Sequence, residues 1–221
     1  MAKPVRISLE KTLRSYYKAM FSAFGPQDWW PGDTRFEIIV GAILTQNTNW
    51  TNVEKAIVNL KKAKALNPKK MHSLAVHDLA QYIRPAGYFN VKAARLKHFL
   101  NHLFDIYGGS IDKMFGHRTD ALREELLSIN GIGPETCDSI LLYAAERPVF
   151  VIDAYTKRML MRHKIVGQKA GYNDMQKLFM ENLKHDTEMF NEYHALIVKT
   201  GKDFCRPRNP RCSACPLGKF L

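Results

Sequence analysis

The stretch Val91-Lys-Ala-Ala-Arg-Leu-Lys-His-Phe-Leu-Asn-His-Leu-Phe-Asp-Ile-Tyr107 places Leu96, Phe99, Leu100, Leu103, Phe104 and Tyr107 three and four residues apart. Lys92, Arg95, Lys97, His98 and His102 fall on other faces. An α-helix turns every ~3.6 residues, so this spacing predicts a helix with one stripe packed inward and another that is basic. The period continues on both sides. Val53, Ala56, Ile57 and Leu60 repeat it after Thr51-Asn-Val-Glu54, which reads as a capping box, and Thr34-Arg-Phe-Glu37 offers the same signal before the apolar run Ile38 to Leu44. Further helices are predicted at residues 121–129, 135–145, 154–164, 174–184 and 187–199, the last stopped near Gly201. No run keeps a period of two, although Pro148 to Ile152 could pass for a short strand. The predicted class is all-α.

Composition narrows the function. The 221 residues include 33 Lys+Arg and 21 Asp+Glu, a net charge of +12 spread from Lys3 to Lys219. Hydrophobic residues make up 46%, which excludes a disordered chain. The run Ile38 to Leu44 falls far short of the roughly 20 apolar residues a membrane span needs, so no membrane partner is expected. The opening Met-Ala-Lys-Pro-Val-Arg has no apolar signal core and points to the cytoplasm, where the four cysteines stay reduced and metal binding is favoured over disulfides. The positive surplus fits a polyanion, most simply nucleic acid, whose phosphates release counterions to Lys and Arg.

Three segments carry chemistry. Leu127-Ser-Ile-Asn-Gly131-Ile132-Gly133-Pro-Glu-Thr136 joins two helices through a Gly-x-Gly turn, where the backbone can approach a phosphate closely. Asp153, in Pro148-Val-Phe-Val-Ile-Asp153-Ala-Tyr-Thr, stands after an apolar run at a helix start; taken alone it reads as an N-cap worth roughly 1 kcal/mol. The tail Cys205-Arg-Pro-Arg-Asn-Pro-Arg-Cys212-Ser-Ala-Cys215-Pro is too rich in Pro and Arg to be helical and needs something else to hold it.

In that order the segments resemble the helix-hairpin-helix DNA glycosylase superfamily, whose signature is a hairpin, a Gly/Pro-rich turn and a downstream aspartate. From Thr34 to Cys215 the organisation resembles the endonuclease III branch. Leu44-Thr-Gln46-Asn-Thr48 looks like that branch's segment whose glutamine enters the duplex, and Gly87-Tyr88-Phe-Asn90-Val-Lys92-Ala looks like its second DNA-contacting loop, with Tyr88 at the wedge position. The resemblance implies phosphate binding around Gly131, Gly133 and Thr136, and DNA contacts at Gln46, Tyr88, Asn90 and Lys92. It makes Asp153 the catalytic carboxylate. Double-stranded DNA with a damaged base is the implied partner, bound by a monomer.

Departures from the pattern refine the subclass. Where the branch's lyase members carry a lysine after the hairpin turn, Glu135 stands here, and a carboxylate forms no Schiff base, so a monofunctional enzyme is expected. Trp29-Trp30-Pro31 and Trp50 resemble the bacterial 3-methyladenine-excising members, in which aromatic rings sandwich the extruded base. Trp29 or Trp30 with Trp50, bordered by Glu135, would then form the base pocket. The cysteines Cys205, Cys212 and Cys215 match three of the four ligands of the family's 4Fe-4S loop, with Leu221 at the fourth place; the cluster is the expected cofactor, with zinc or no metal as alternatives.

The implied fold has two helical subdomains: residues 33–147, with the helix-hairpin-helix at about 122–145, and residues 1–32 joined with 148–221, ending in the cysteine loop at 205–221. Uracil or thymine mismatch glycosylases, oxidised-pyrimidine glycosylases of the endonuclease III type, and a non-catalytic hairpin DNA-binding protein are the alternative functions.

Overall fold

A computed structural model describes residues 8–221; the opening Met1–Arg6 lies outside them. The first helix, α1 (Leu9–Phe24), is capped by Ser8, whose hydroxyl accepts from the Lys11 amide at 3.3 Å. The next eight are α2 (Arg35–Leu44), α3 (Trp50–Lys62), α4 (Pro68–Ser73), α5 (Val76–Tyr82), α6 (Phe89–Tyr107), α7 (Ile111–Phe115), α8 (Thr119–Ser128) and α9 (Pro134–Ser139). After them come α10 (Ala154–Arg162), α11 (Tyr172–Asn182) and α12 (Thr187–Asp203). Among the described residues there is no strand, so the protein is all-α.

The chain divides into two compact units, one of Trp30–Arg147 and one made of the residues up to Trp29 with Pro148–Leu221. In the first unit α2 is the hub. Phe36, Ile39, Val40, Gly41, Ala42, Ile43 and Leu44 are all buried, and α2 packs on α3, α6 and α9. Each large apolar side chain taken fully out of water there contributes roughly 1.5–3 kcal/mol. Thr34 caps α2 as its spacing predicts, accepting from the Glu37 amide at 3.1 Å. Thr51 does not cap α3. The helix starts one residue earlier, at Trp50, because the Asn49 side chain takes the Asn52 amide at 3.0 Å, and Glu54 accepts instead from the Trp50 indole at 2.8 Å.

The predicted hairpin is α8, a turn and α9. A buried ion pair ties it: Arg123 donates to both oxygens of Asp138 at 2.7 and 3.1 Å, and Asp138 is 0% exposed. Removing the arginine would leave an uncompensated buried carboxylate, so the two helices are held together strongly. Beyond Ser139 the chain widens into a π-helical stretch, Ile140–Ala144, all of it buried.

In the second unit an aromatic stack forms the core. Phe150 lies on Phe179 with centroids 3.8 Å apart and planes 4° from parallel, and Phe190 and Tyr193 meet it edge-on at 5.3 and 5.7 Å. The segment Pro148–Ile152 is extended but pairs with no strand. Side chains of α11 satisfy it: Gln176 donates to the Phe150 carbonyl at 2.7 Å and the Ile152 amide donates to the Tyr172 hydroxyl at 3.3 Å.

Candidate active site

In the Trp30–Arg147 unit the glutamine segment and the hairpin turn meet. Gln46 Nε2 donates to the Gly131 carbonyl at 2.9 Å and to Thr136 Oγ1 at 2.8 Å, while Arg95 donates to Gln46 Oε1. Gly131 has φ +94°, and a Cβ there would collide with the Arg95 side chain that crosses it, so the turn requires glycine on both counts. Gly133 is exposed and forms the N-cap of α9. Arg95 was not singled out by the sequence, where it read as one more base on a polar face.

Tyr88 opens α6 in the left-handed region, φ +45°, with its ring 71% exposed. A bulky residue in that conformation costs on the order of 1 kcal/mol, and an aromatic ring left in water gains nothing in return within the free protein. Asn90 is exposed beside it. Lys92 is not: it is 1% exposed, and its ammonium donates to the carbonyls of Leu44 at 2.7 Å and Ala86 at 2.8 Å. The expected DNA contact is therefore corrected. Lys92 caps the C-terminal end of α2, where free carbonyls and the helix dipole favour a cation. Burial pushes its ammonium down to about 8, with the charge of Arg95 adding to the shift.

The tryptophans divide between the units. Trp30 and Trp50 meet edge to face at 5.1 Å, and Tyr143, from the π-helical stretch, lies 4.9 Å from Trp30. Gly41 makes this approach possible, since a Cβ on it would sit 3.3 Å from Trp30 Nε1 and 3.6 Å from Trp50. A base held between two rings needs their planes about 7 Å apart, so no sandwich slot exists between Trp30 and Trp50; the cluster offers an outer face instead. Trp29 lies in the other unit, with the Lys202 ammonium 5.8 Å from its ring. Glu135 is exposed in the first turn of α9.

Asp153 is the N-cap of α10, as its position predicts, and it is more than that. Its Oδ1 accepts from the Thr156 amide at 2.7 Å and the Thr156 hydroxyl at 2.8 Å, while Oδ2 stands 3.5 Å from His194 Nε2, on α12. The side chain is 11% exposed, nearly enclosed but not sealed from solvent. Burial pushes its pKa up, yet the His194 charge and hydrogen bond, then the two Thr156 donors, outweigh it and hold the carboxyl below its ordinary value. A charged carboxylate is thus built in. Thr156 stands at the spacing of a cap, whereas nothing in the neighbourhood of His194 along the chain ties it to Asp153.

Cys205, Cys212 and Cys215 line one small pocket, together with Thr200, Arg162, His163 and Leu221. Arg162 donates to Cys205 Sγ at 3.1 Å, and the Thr200 hydroxyl is buried with no hydrogen-bond partner. Burial raises the Cys215 thiol, and the nearby Cys205 and Cys212 add to it. Among the described residues no three metal-ligating side chains converge tightly enough to hold a single ion. Three thiols and an unused hydroxyl donor on one pocket match in kind the donor set of a group held through thiolates. His163 is committed elsewhere, its Nδ1 lying 2.9 Å from the Tyr16 hydroxyl.

Residues 40–185 match the profile of the HhH-GPD superfamily base excision DNA repair proteins. A relative in Methanocaldococcus jannaschii, named provisionally as a DNA repair glycosylase, is 48% identical over 205 residues, 92% of this chain and 93% of its own. Endonuclease III of Thermotoga maritima is 26% identical over 185 residues, 82% of this chain and 80% of its own. The crystal structure of the H. pylori 3-methyladenine DNA glycosylase bound to 1,N6-ethenoadenine aligns with a TM-score of 0.76 at 27% identity, over 89% of this chain and 98% of that one. A non-covalent endonuclease III–DNA complex shares the fold, with a TM-score of 0.82 at 21% identity over 97% of this chain and 96% of the other.

Proposed function

The chain belongs to the HhH-GPD superfamily of base excision DNA repair proteins, and from that premise we propose that it is a monofunctional DNA glycosylase that hydrolyses the glycosidic bond of an alkylated purine. The observation that carries the reading is Asp153: a carboxylate kept ionised by His194 and Thr156 on a side chain that is not sealed from solvent. Such a group stabilises the oxocarbenium-like sugar as the base departs, and orients or deprotonates the attacking water. The protein acts as a cytoplasmic monomer on double-stranded DNA. Gly131, Gly133 and Thr136 face a phosphate; Gln46 and Tyr88, with Asn90 beside them, fill the stack left by the extruded nucleotide.

Alkylation at N3 or N7 makes a purine cationic, and the aromatic cluster of Trp30, Trp50 and Tyr143 attracts it by roughly 1–2 kcal/mol more than the neutral base. A panel of duplexes, each bearing one lesion, tests this. Release of methylated purine and not of uracil is expected. Release of uracil or thymine alone transfers the protein to the mismatch-reading alternative.

Glu135 supplies no amine, so borohydride added during turnover should trap no covalent enzyme–DNA adduct, and the product should be an abasic site on an uncut strand. A strong trapped band on a denaturing gel would place a lysine at the sugar and end the monofunctional assignment.

We also propose that Cys205, Cys212 and Cys215 hold an iron–sulfur cluster, with the Thr200 hydroxyl and Arg162 donating toward sulfur. The cluster, when bound, supplies a structural clip for the arginine-rich loop. Purified protein should contain iron and sulfide and absorb in the visible, and Cys212→Ser should lose both. Zinc alone, or no metal after anaerobic reconstitution with iron and sulfide, overturns the assignment.

A further inference from the structure

Helix α6 holds the Gln46 segment at two points one turn apart. Lys92 takes the Leu44 carbonyl at the end of α2, and Arg95 takes the Gln46 side-chain oxygen. Both cations are on one face, and the charge of Arg95 adds to the lowering of the Lys92 ammonium.

The amide of Gln46 is fully engaged. Its oxygen accepts from Arg95, and its nitrogen spends one proton on the Gly131 carbonyl at 2.9 Å and the other on Thr136 Oγ1 at 2.8 Å. The stem of Arg95 crosses Gly131 where a side chain would otherwise stand. One arginine therefore touches both parts assigned above to DNA: the glutamine that fills the stack and the turn that faces the phosphate.

We infer that Arg95 is a positioning residue that presets Gln46 and the glycine turn as one rigid reading unit, without itself contacting DNA. The inference rests on the DNA-repair reading of these two segments. Ordering the glutamine before the encounter removes the entropy of fixing a long side chain at the moment of binding. A guanidinium suits the task, because its planar, pre-organised head donates to the amide oxygen while its stem packs on the backbone of the turn.

The test is the binding of a duplex with one abasic site, measured at several salt concentrations for the wild type, Arg95→Met, Gln46→Ala and the double variant. Arg95→Met should weaken binding about tenfold and leave the salt slope unchanged. In the Gln46→Ala background the same substitution should cost less than about twofold, because the group it positions is gone. Arg95→Lys, which keeps the charge and loses the fork, should behave like Arg95→Met.

A salt slope lower by about one, with equal losses in both Gln46 backgrounds, would make Arg95 a phosphate contact and overturn the inference. So would full binding by Arg95→Met. Should Arg95→Met not fold, Arg95→Lys takes its place in the same cycle, and additivity with Gln46→Ala again overturns the inference. A wild-type chain that binds no abasic duplex overturns the reading beneath it as well, whereas additive losses on a wild type that binds overturn only the role of Arg95.

Discussion

Asp153→Asn is expected to lower base release by about 10³-fold or more while DNA binding stays within about twofold of wild type. The amide is isosteric and its oxygen can still accept from the Thr156 amide and hydroxyl, and asparagine is among the best helix N-caps, so α10 should begin as before. What disappears is the negative charge, which matters most when the sugar carries positive charge. Single-turnover rates set beside binding isotherms make the comparison. Equal losses in binding and turnover, or an active variant, would remove Asp153 from the chemistry. The pH dependence has a definite sign. The folded-state pKa of Asp153 lies below its ordinary value, so wild-type turnover should hold through the neutral range and fall only as pH drops below about 4. Any stability Asp153 contributes follows the same direction: present above its unfolded value and lost as pH falls through the folded one.

Lys92→Met should have the largest effect on stability, a loss of about 2–4 kcal/mol. Methionine fills a similar volume but donates nothing, so the carbonyls of Leu44 and Ala86 are left buried without their partner. Denaturant unfolding at neutral pH checks the magnitude, and a loss below about 1 kcal/mol would show that these carbonyls find other donors. The loss should also grow with pH. Lys92 titrates near 8 when folded and near the ordinary lysine value when unfolded; between the two the unfolded chain binds the extra proton, and wild-type stability rises with pH there. The methionine variant lacks that rise, so the gap between the two proteins widens from about pH 8 upward.

Lys92 also shows where sequence reading stopped. Read by type it went with the bases on other faces, although it lies four residues before Leu96 and seven before Phe99, on the inward stripe. Its charge argued for solvent, and only the facing carbonyls at the end of α2 reverse that preference. The capping signal at Thr51 failed for a related reason, since Asn49 offered an equally good oxygen two residues earlier. The hairpin, its glycine turn and the cap at Asp153 are local and could be read from spacing. The approach of His194 to Asp153 depends on α10 packing against α12, and no short-range pattern encodes it. The edge-to-face contact of Trp30 and Trp50 is likewise a product of packing around Gly41, which the sequence showed only as a glycine inside an apolar run.

The widened turn at Ile140–Ala144 fixes the length of the chain there as firmly as its composition. It holds one residue more per turn than an ordinary helix, and that surplus aims Tyr143 at Trp30. Deleting Leu141 would remove that surplus and let the backbone close into standard pitch with its ladder intact, and the phenol ring would lose the direction the wide turn gives it. Substitutions in this stretch can be repaired by neighbouring side chains; a change of count cannot.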